Sequence, residues 1–176
     1  MNLHNYYWYF KSALTPRFCK EVIQHGLAQK EDLAVTGTLG DIKNRSLTKK
    51  EIKDLKKKRD SNVSWLNDNW IYREIHPYVH EANKNAGWNF EWSRSEPCQF
   101  TKYKLNQYYD WHCDSWDKPY DKGKDHPDNG KIRKCTEILP QGSIVVFPSF
   151  VWHRVKPVRK GTRYSLVVWS LGQPFK

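Results

Sequence analysis

The sequence predicts an α+β fold, mainly β, in which helices come first and a β-sandwich or barrel packs against them. Before Gly87, apolar residues recur at near-helical spacing behind recognisable helix-start residues. After Gly87 they fall into short alternating runs separated by turn residues. The third observation is aromatic content: nine Trp, ten Tyr and seven Phe offer enough burial to fold a chain whose mean hydropathy is −0.88.

Thr15-Pro16 reads as an N-cap followed by proline at the first helical position, and Phe18, Cys19, Val22, Ile23 and Leu27 then mark one helix face. Thr48-Lys49-Lys50-Glu51 reads as a capping box opening a second helix, whose apolar face is only Ile52 and Leu55. A third helix is predicted from Trp70 to Lys84, with Trp70, Ile71, Ile75 and Val79 inward and Pro77 kinking or dividing it. The strand segments after Gly87 are NFEWS, QFTKYKL, YYDWHCD, KIRKCTEI, SIVVF, VWHRV and RYSLVVW. Asn106, Asp128-Asn129-Gly130, Pro140-Gln141-Gly142 and Lys160-Gly161 supply turns between them. At 176 residues this is one domain, with 1–88 as helical support and 89–176 as the β core.

A net charge of +11 suggests nucleic acid until its placement is examined. Lys43 to Arg59 holds nine basic and two acidic residues, which is +7 of the total. The charge is therefore mostly one segment. No run reaches the roughly 18 apolar residues of a membrane span, and the start MNLHNYYWYF does not read as a secretory leader. Four cysteines without a CxxC spacing are expected as free thiols in a reducing cytoplasm, that of a host if the chain is phage-encoded.

Two His-x-Asp pairs occur. On a strand, residues i and i+2 share a face, so both side chains can reach one metal ion. His126-Pro127-Asp128 lies among turn residues that would hold no geometry, whereas His112-Cys113-Asp114 lies in the aromatic segment YYDWHCDSW. His153, in FPSFVWHRV, offers a third ligand. Two His and one carboxylate on a β scaffold form the facial set of non-haem Fe(II) oxygenases. Arg163, ten residues on, is predicted to point inward from the next strand, where a buried guanidinium implies an anionic ligand. His76 and His80, four apart on the third helix, read as a surface pair because no third ligand accompanies them.

With these residues in place, QFTKYKLNQYYDWHCDSW and GSIVVFPSFVWHRVKPVRKGTRYSLVVWSLG resemble the prolyl 4-hydroxylase branch of the 2-oxoglutarate/Fe(II) dioxygenases, including its phage and bacterial members. The resemblance spans residues 93–173. It implies a double-stranded β-helix (jelly roll) flanked by N-terminal helices, with iron held by His112, Asp114 and His153. It further implies that Arg163 and Tyr103 bind the distal carboxylate of 2-oxoglutarate with help from Ser165, and that Tyr109, Trp169 and Glu96 face a peptide substrate. O2 would be the second co-substrate and ascorbate an accessory cofactor. The implied reaction hydroxylates a proline in a peptide or protein, releasing succinate and CO2, in a pocket lined by Tyr108, Tyr109, Trp111, Trp116 and Trp169.

The chain departs from that family in one interval. The family has four strands between the counterparts of Asp114 and His153; here 38 residues intervene, and only KIRKCTEI and SIVVF read as strands. Two strands are missing near Cys135–Glu137, either deleted, which would leave open sheet edges, or absent from the sequence at that point; the stability of a closed barrel favours the second. Two other functions compete. The basic segment suits a nucleic-acid-directed oxidative demethylase of the same superfamily, although it lacks aromatic residues for base stacking. The strand gap suits a non-catalytic basic binding protein on a degenerate jelly roll.

Overall fold

A computed structural model describes residues 5–35, 46–114 and 134–172. These contain three helices, α1 (Pro16–Ala28), α2 (Lys49–Lys58) and α3 (Asn69–Asn85). The strands are β1 (Trp8–Phe10), β2 (Asp32–Leu33), β3 (Arg59–Asp60), β4 (Asn62–Leu66), β5 (Arg94–Ser95), β6 (Cys98–Tyr103), β7 (Tyr108–His112), β8 (Ile144–Val146), β9 (His153–Val155), β10 (Arg163–Val167) and β11 (Ser170–Leu171). Every pairing is antiparallel, so the fold is mainly antiparallel β with three helices.

Both predicted helix starts form. Thr15 Oγ1 accepts the Phe18 amide, and Thr48 and Glu51 close a reciprocal capping box. α3 runs through Pro77 as a single helix rather than two. Its neighbours hold it: Ile71 and Ile75 are buried with Phe18, Val22, Leu66, Cys98 and Phe100 in the main core, each large side chain stabilising by about 1.5–3 kcal/mol.

That core lies between α1, α3 and one face of the sheet β10-β6-β4-β2. The other face of the same strands carries Gln99, Thr101 and Tyr103 on β6, opposite Val167, Ser165 and Arg163 on β10. A second sheet, β3-β7-β9, bears the histidines, and the pairs β1-β8 and β11-β5 complete the described architecture. Gly142, at φ +77°, leaves no room for a Cβ against the Leu14 carbonyl, and its own carbonyl accepts the Leu14 amide at 2.9 Å. That bond ties the N-terminal segment to the start of β8.

Two expectations need correction. Residues 1–88 are not purely helical, because β1 to β4 fall within them and β4 is an interior strand between β6 and β2. Five residues, NVSWL, between a lysine-rich helix and α3 give too short an alternation to compete with helical periodicity. NFEWS and KIRKCTEI are also not strands where described: the first is irregular up to β5, and Lys134 to Ile138 form irregular chain and a turn. The His126-Pro127-Asp128 motif, Trp116 and the Asp128-Asn129-Gly130 turn lie outside the described residues. Among the described residues, no helix is long and apolar enough to cross a membrane.

Candidate metal centre

His112 ends β7 and His153 begins β9, and antiparallel pairing sets them directly opposite. Their rings lie 4.0 Å apart between centroids. Asp114 sits beyond the end of β7 rather than on it. It is placed by its amide, which donates to the Ser149 carbonyl at 2.8 Å, and by the Trp169 indole, which donates to Oδ2 at 3.1 Å. Asp114 Oδ1 stands 3.9 Å from His112 Nε2, and Oδ2 stands 3.9 Å from His153 Nε2. One ligand atom from each of the three residues falls within 4.8 Å of the others.

The donor chemistry fits a metal ion. Nδ1 of His112 is 2.8 Å from the Asp110 carbonyl, and Nδ1 of His153 is 2.9 Å from the Val151 carbonyl. A carbonyl can only accept, so each Nδ1 carries a hydrogen and Nε2 is the ring atom each histidine turns toward Asp114. Burial, seconded by His153, pushes His112 down to about 3, so its ring is neutral and able to ligate at physiological pH. Two imidazoles and a carboxylate with other positions left open match the ligand set of a mononuclear redox-active iron site.

Arg163 pairs with Tyr103 across β10 and β6. The guanidinium lies 5.3 Å from the Tyr103 ring centroid, and Nη1 donates to Ser165 Oγ at 3.3 Å. The sequence predicts a buried arginine, but the side chain is water-accessible because it lines an open cavity rather than a closed core. The surrounding protein still desolvates it, which lowers its pKa, while Tyr103 partly offsets that. Tyr103 itself is buried. The same cavity is lined by His112, Asp114 and His153, so it has a cation at one part of its wall and a ligand triad at another.

Among the residues assigned to substrate, Tyr109 stacks on His112 with centroids 3.5 Å apart. Trp169 holds Asp114 and lies 6.3 Å from the half-exposed Trp65. Glu96 is exposed, its amide donating to the Trp169 carbonyl at 2.9 Å. His76 and His80 both pack on Trp92, and among the described residues no third ligand joins them.

Sequence reasoning missed Arg59. It closes the lysine run, yet it is 5% exposed and turns inward. Nε donates to Ser61 Oγ at 3.0 Å, Nη2 donates to Gln99 Oε1 at 2.5 Å, and the guanidinium lies 4.5 Å from the Tyr109 ring centroid. The available signal was the switch, at Arg59, from lysine-rich helix to strand alternation.

No protein-family model and no curated protein matches the chain. Solved structures do. A viral collagen prolyl hydroxylase of Paramecium bursaria Chlorella virus 1, solved as a 2OG complex, aligns over 95% of this chain and 96% of its own at 16% identity and a TM-score of 0.57. A prolyl-4-hydroxylase of Pseudomonas putida aligns over 97% and 95% at 13% identity and 0.60. A prolyl hydroxylase of Trichoplax adhaerens, in complex with a peptide fragment of the hypoxia inducible factor oxygen degradation domain, aligns over 95% and 84% at 15% identity and 0.55. The chain shares the fold of these hydroxylases along nearly its whole length.

Proposed function

We propose that this chain is a 2-oxoglutarate- and Fe(II)-dependent dioxygenase that hydroxylates proline in a peptide or protein, on a jelly-roll fold acting as one catalytic domain. The observation that carries the reading is the triad of His112, Asp114 and His153, whose free Nε2 and carboxylate atoms face a cavity shared with Arg163. Likeness of fold to three prolyl hydroxylases supports it.

His112, Asp114 and His153 would hold the iron. With 2-oxoglutarate and O2, and with ascorbate as accessory, the bound metal supplies the oxidising chemistry that places a hydroxyl on a C–H bond as succinate and CO2 are released. The protein's own work is placement. Arg163 offers a guanidinium fork to the far carboxylate of the co-substrate, with Tyr103 packed against it and Ser165 orienting it. Trp169 fixes the Asp114 carboxylate, and the two backbone carbonyls fix the imidazoles, so the ligand atoms need little rearrangement to receive the metal. Tyr109, Trp169 and Glu96 are assigned to the peptide side, where the aromatic walls limit water. Free thiols at Cys19, Cys98, Cys113 and Cys135 suit a reducing cytoplasm.

The test is Fe(II)-dependent succinate release with proline-rich peptides, run beside single-stranded DNA. His112→Ala abolishes release, while His126→Ala, outside the described residues, retains it. Release driven by DNA instead of peptide would select the demethylase reading. Absence of turnover, together with no stabilisation by metal plus 2-oxoglutarate, would leave only a binding protein.

A further inference from the structure

The lysine-rich helix is the largest charged feature the catalytic reading leaves unused. α2, KKEIKDLKKK, exposes Lys49, Lys50, Lys53, Lys56, Lys57 and Lys58. Its two acids are committed locally. Glu51 closes the capping box, accepting from the Thr48 amide at 2.8 Å, and Asp54 pairs with Lys57 at 2.7 Å. Lys56 reaches Asp60 at 3.9 Å. Among the described residues, no acidic side chain lies within ion-pair distance of Lys49, Lys50 or Lys53. Like charges three and four apart destabilise a helix, and this one buries only Leu55 to offset them. A segment that bears this repulsion with so little packing is built for something outside itself.

Its position gives it a target. The Tyr108 hydroxyl bonds to the Lys56 and Lys57 carbonyls at 3.0 and 2.9 Å, so the helix C-terminus is fastened to the strand that carries His112. α2 then runs straight into β3, where Arg59 pairs with Tyr109. On the far strand of that three-stranded sheet Arg154 is also exposed, as is Lys156 just past its end. The cationic surface is thus held in fixed relation to the ligand triad.

We propose that α2 docks an acidic stretch of the polypeptide substrate, flanking the residue to be hydroxylated; this rests on the reading of the site as one that acts on a peptide. Charge complementarity of this kind sets partner choice and association rate. The helix lacks any aromatic side chain on which a nucleic-acid base could stack. It also lacks the broad apolar face with which a helix lies in a membrane surface, because Leu55 is turned inward.

The experiment measures binding separately from turnover. Two synthetic proline-containing peptides are used, one flanked by Glu and Asp and the other by Gln and Asn at the same places. Their affinities for the Fe(II)- and 2-oxoglutarate-loaded protein are read by fluorescence anisotropy under anaerobic conditions. Wild type binds the acidic peptide about tenfold tighter at low salt, as three exposed ion pairs of ordinary strength provide, and the preference shrinks as salt is added. The triple variant K49E/K50E/K53E loses the preference while its melting temperature and helix signal stay at wild-type values. If charge reversal loosens α2, K49Q/K50Q/K53Q gives the same reading without added repulsion.

Equal binding of both peptides by wild type, or a preference that survives in the variants, overturns the inference. So does a single-stranded oligonucleotide that competes more strongly than the acidic peptide and loses its grip in the same variants. Lysine-dependent binding without succinate release upholds the docking surface and defeats the catalytic reading. Equal release from both peptides does the reverse.

Discussion

Trp169→Phe tests the idea that the metal site is assembled before the metal arrives. The indole Nε1 donates to Asp114 Oδ2 across 3.1 Å, between residues 55 apart in sequence. A hydrogen bond to a charged group contributes about 1.5–3 kcal/mol, and each 1.4 kcal/mol is about tenfold in affinity. The distance is at the long end of the range, and the Asp114 side chain is 19% exposed, so water replaces part of the lost donor. The lower bound then applies, and metal affinity falls about tenfold, at the low end of what loss of a ligand-orienting group costs. Phenylalanine retains an aromatic ring beside Trp65, whose partner ring is now 6.3 Å away, so folding is preserved. Co(II) titration of the metal-free protein, followed by ligand-field absorbance, gives the dissociation constant directly. An unchanged constant in a variant of unchanged melting temperature would refute the claim that Trp169 positions Asp114.

Arg163→Ala raises the calorimetric dissociation constant for 2-oxoglutarate about a hundredfold, the loss of a charge-assisted two-pronged contact, while Co(II) affinity stays put; a parallel loss of metal binding would mean that Arg163 acts on the triad. Gly26→Ala places a methyl 2.5 Å from the Phe100 ring and lowers chemical-denaturation stability by about 1–3 kcal/mol; a neutral result would show that α1 shifts freely over β6. Cys98 is fully buried, and burial raises its thiol pKa, so it resists iodoacetamide at pH 8 in the native protein and reacts in guanidinium, as peptide mass mapping will show. Early labelling of Cys98 would contradict its place in the core.

How much of this the sequence discloses depends on the range of the interactions. The caps at Thr15 and Thr48 are readable because a cap is a contact between neighbours. His112, Asp114 and His153 are readable because ligand chemistry restricts residue types and a His-x-Asp pair keeps two of them close in sequence, although Asp114 is held past the strand end by Ser149 and Trp169 and not by strand period. Arg59 is not, because the change from helix to strand at that residue marks a boundary but does not tell a buried guanidinium from six exposed ammonium groups just before it; its partner Gln99 is 40 residues away. β4 is hidden for a related reason, since a five-residue interior strand is defined by β6 and β2 rather than by its own pattern. Trp169 is legible as an aromatic beside the site, but its bond to Asp114 exists only in the folded chain.

The ladder between β7 and β9 slips by one residue between Tyr109 and His112. Side chains three apart on a regular strand point to opposite sides, yet these two rings stack at 3.5 Å. The strand therefore carries a phase shift, inserted between the half that meets β3 and the end that bears His112. Without that irregularity the same three-residue interval, run as regular strand, would send Tyr109, with the Arg59 cation it shelters, to the opposite side from the ligands. The one-residue slip in the ladder thus keeps the Tyr109 ring as an aromatic wall beside His112.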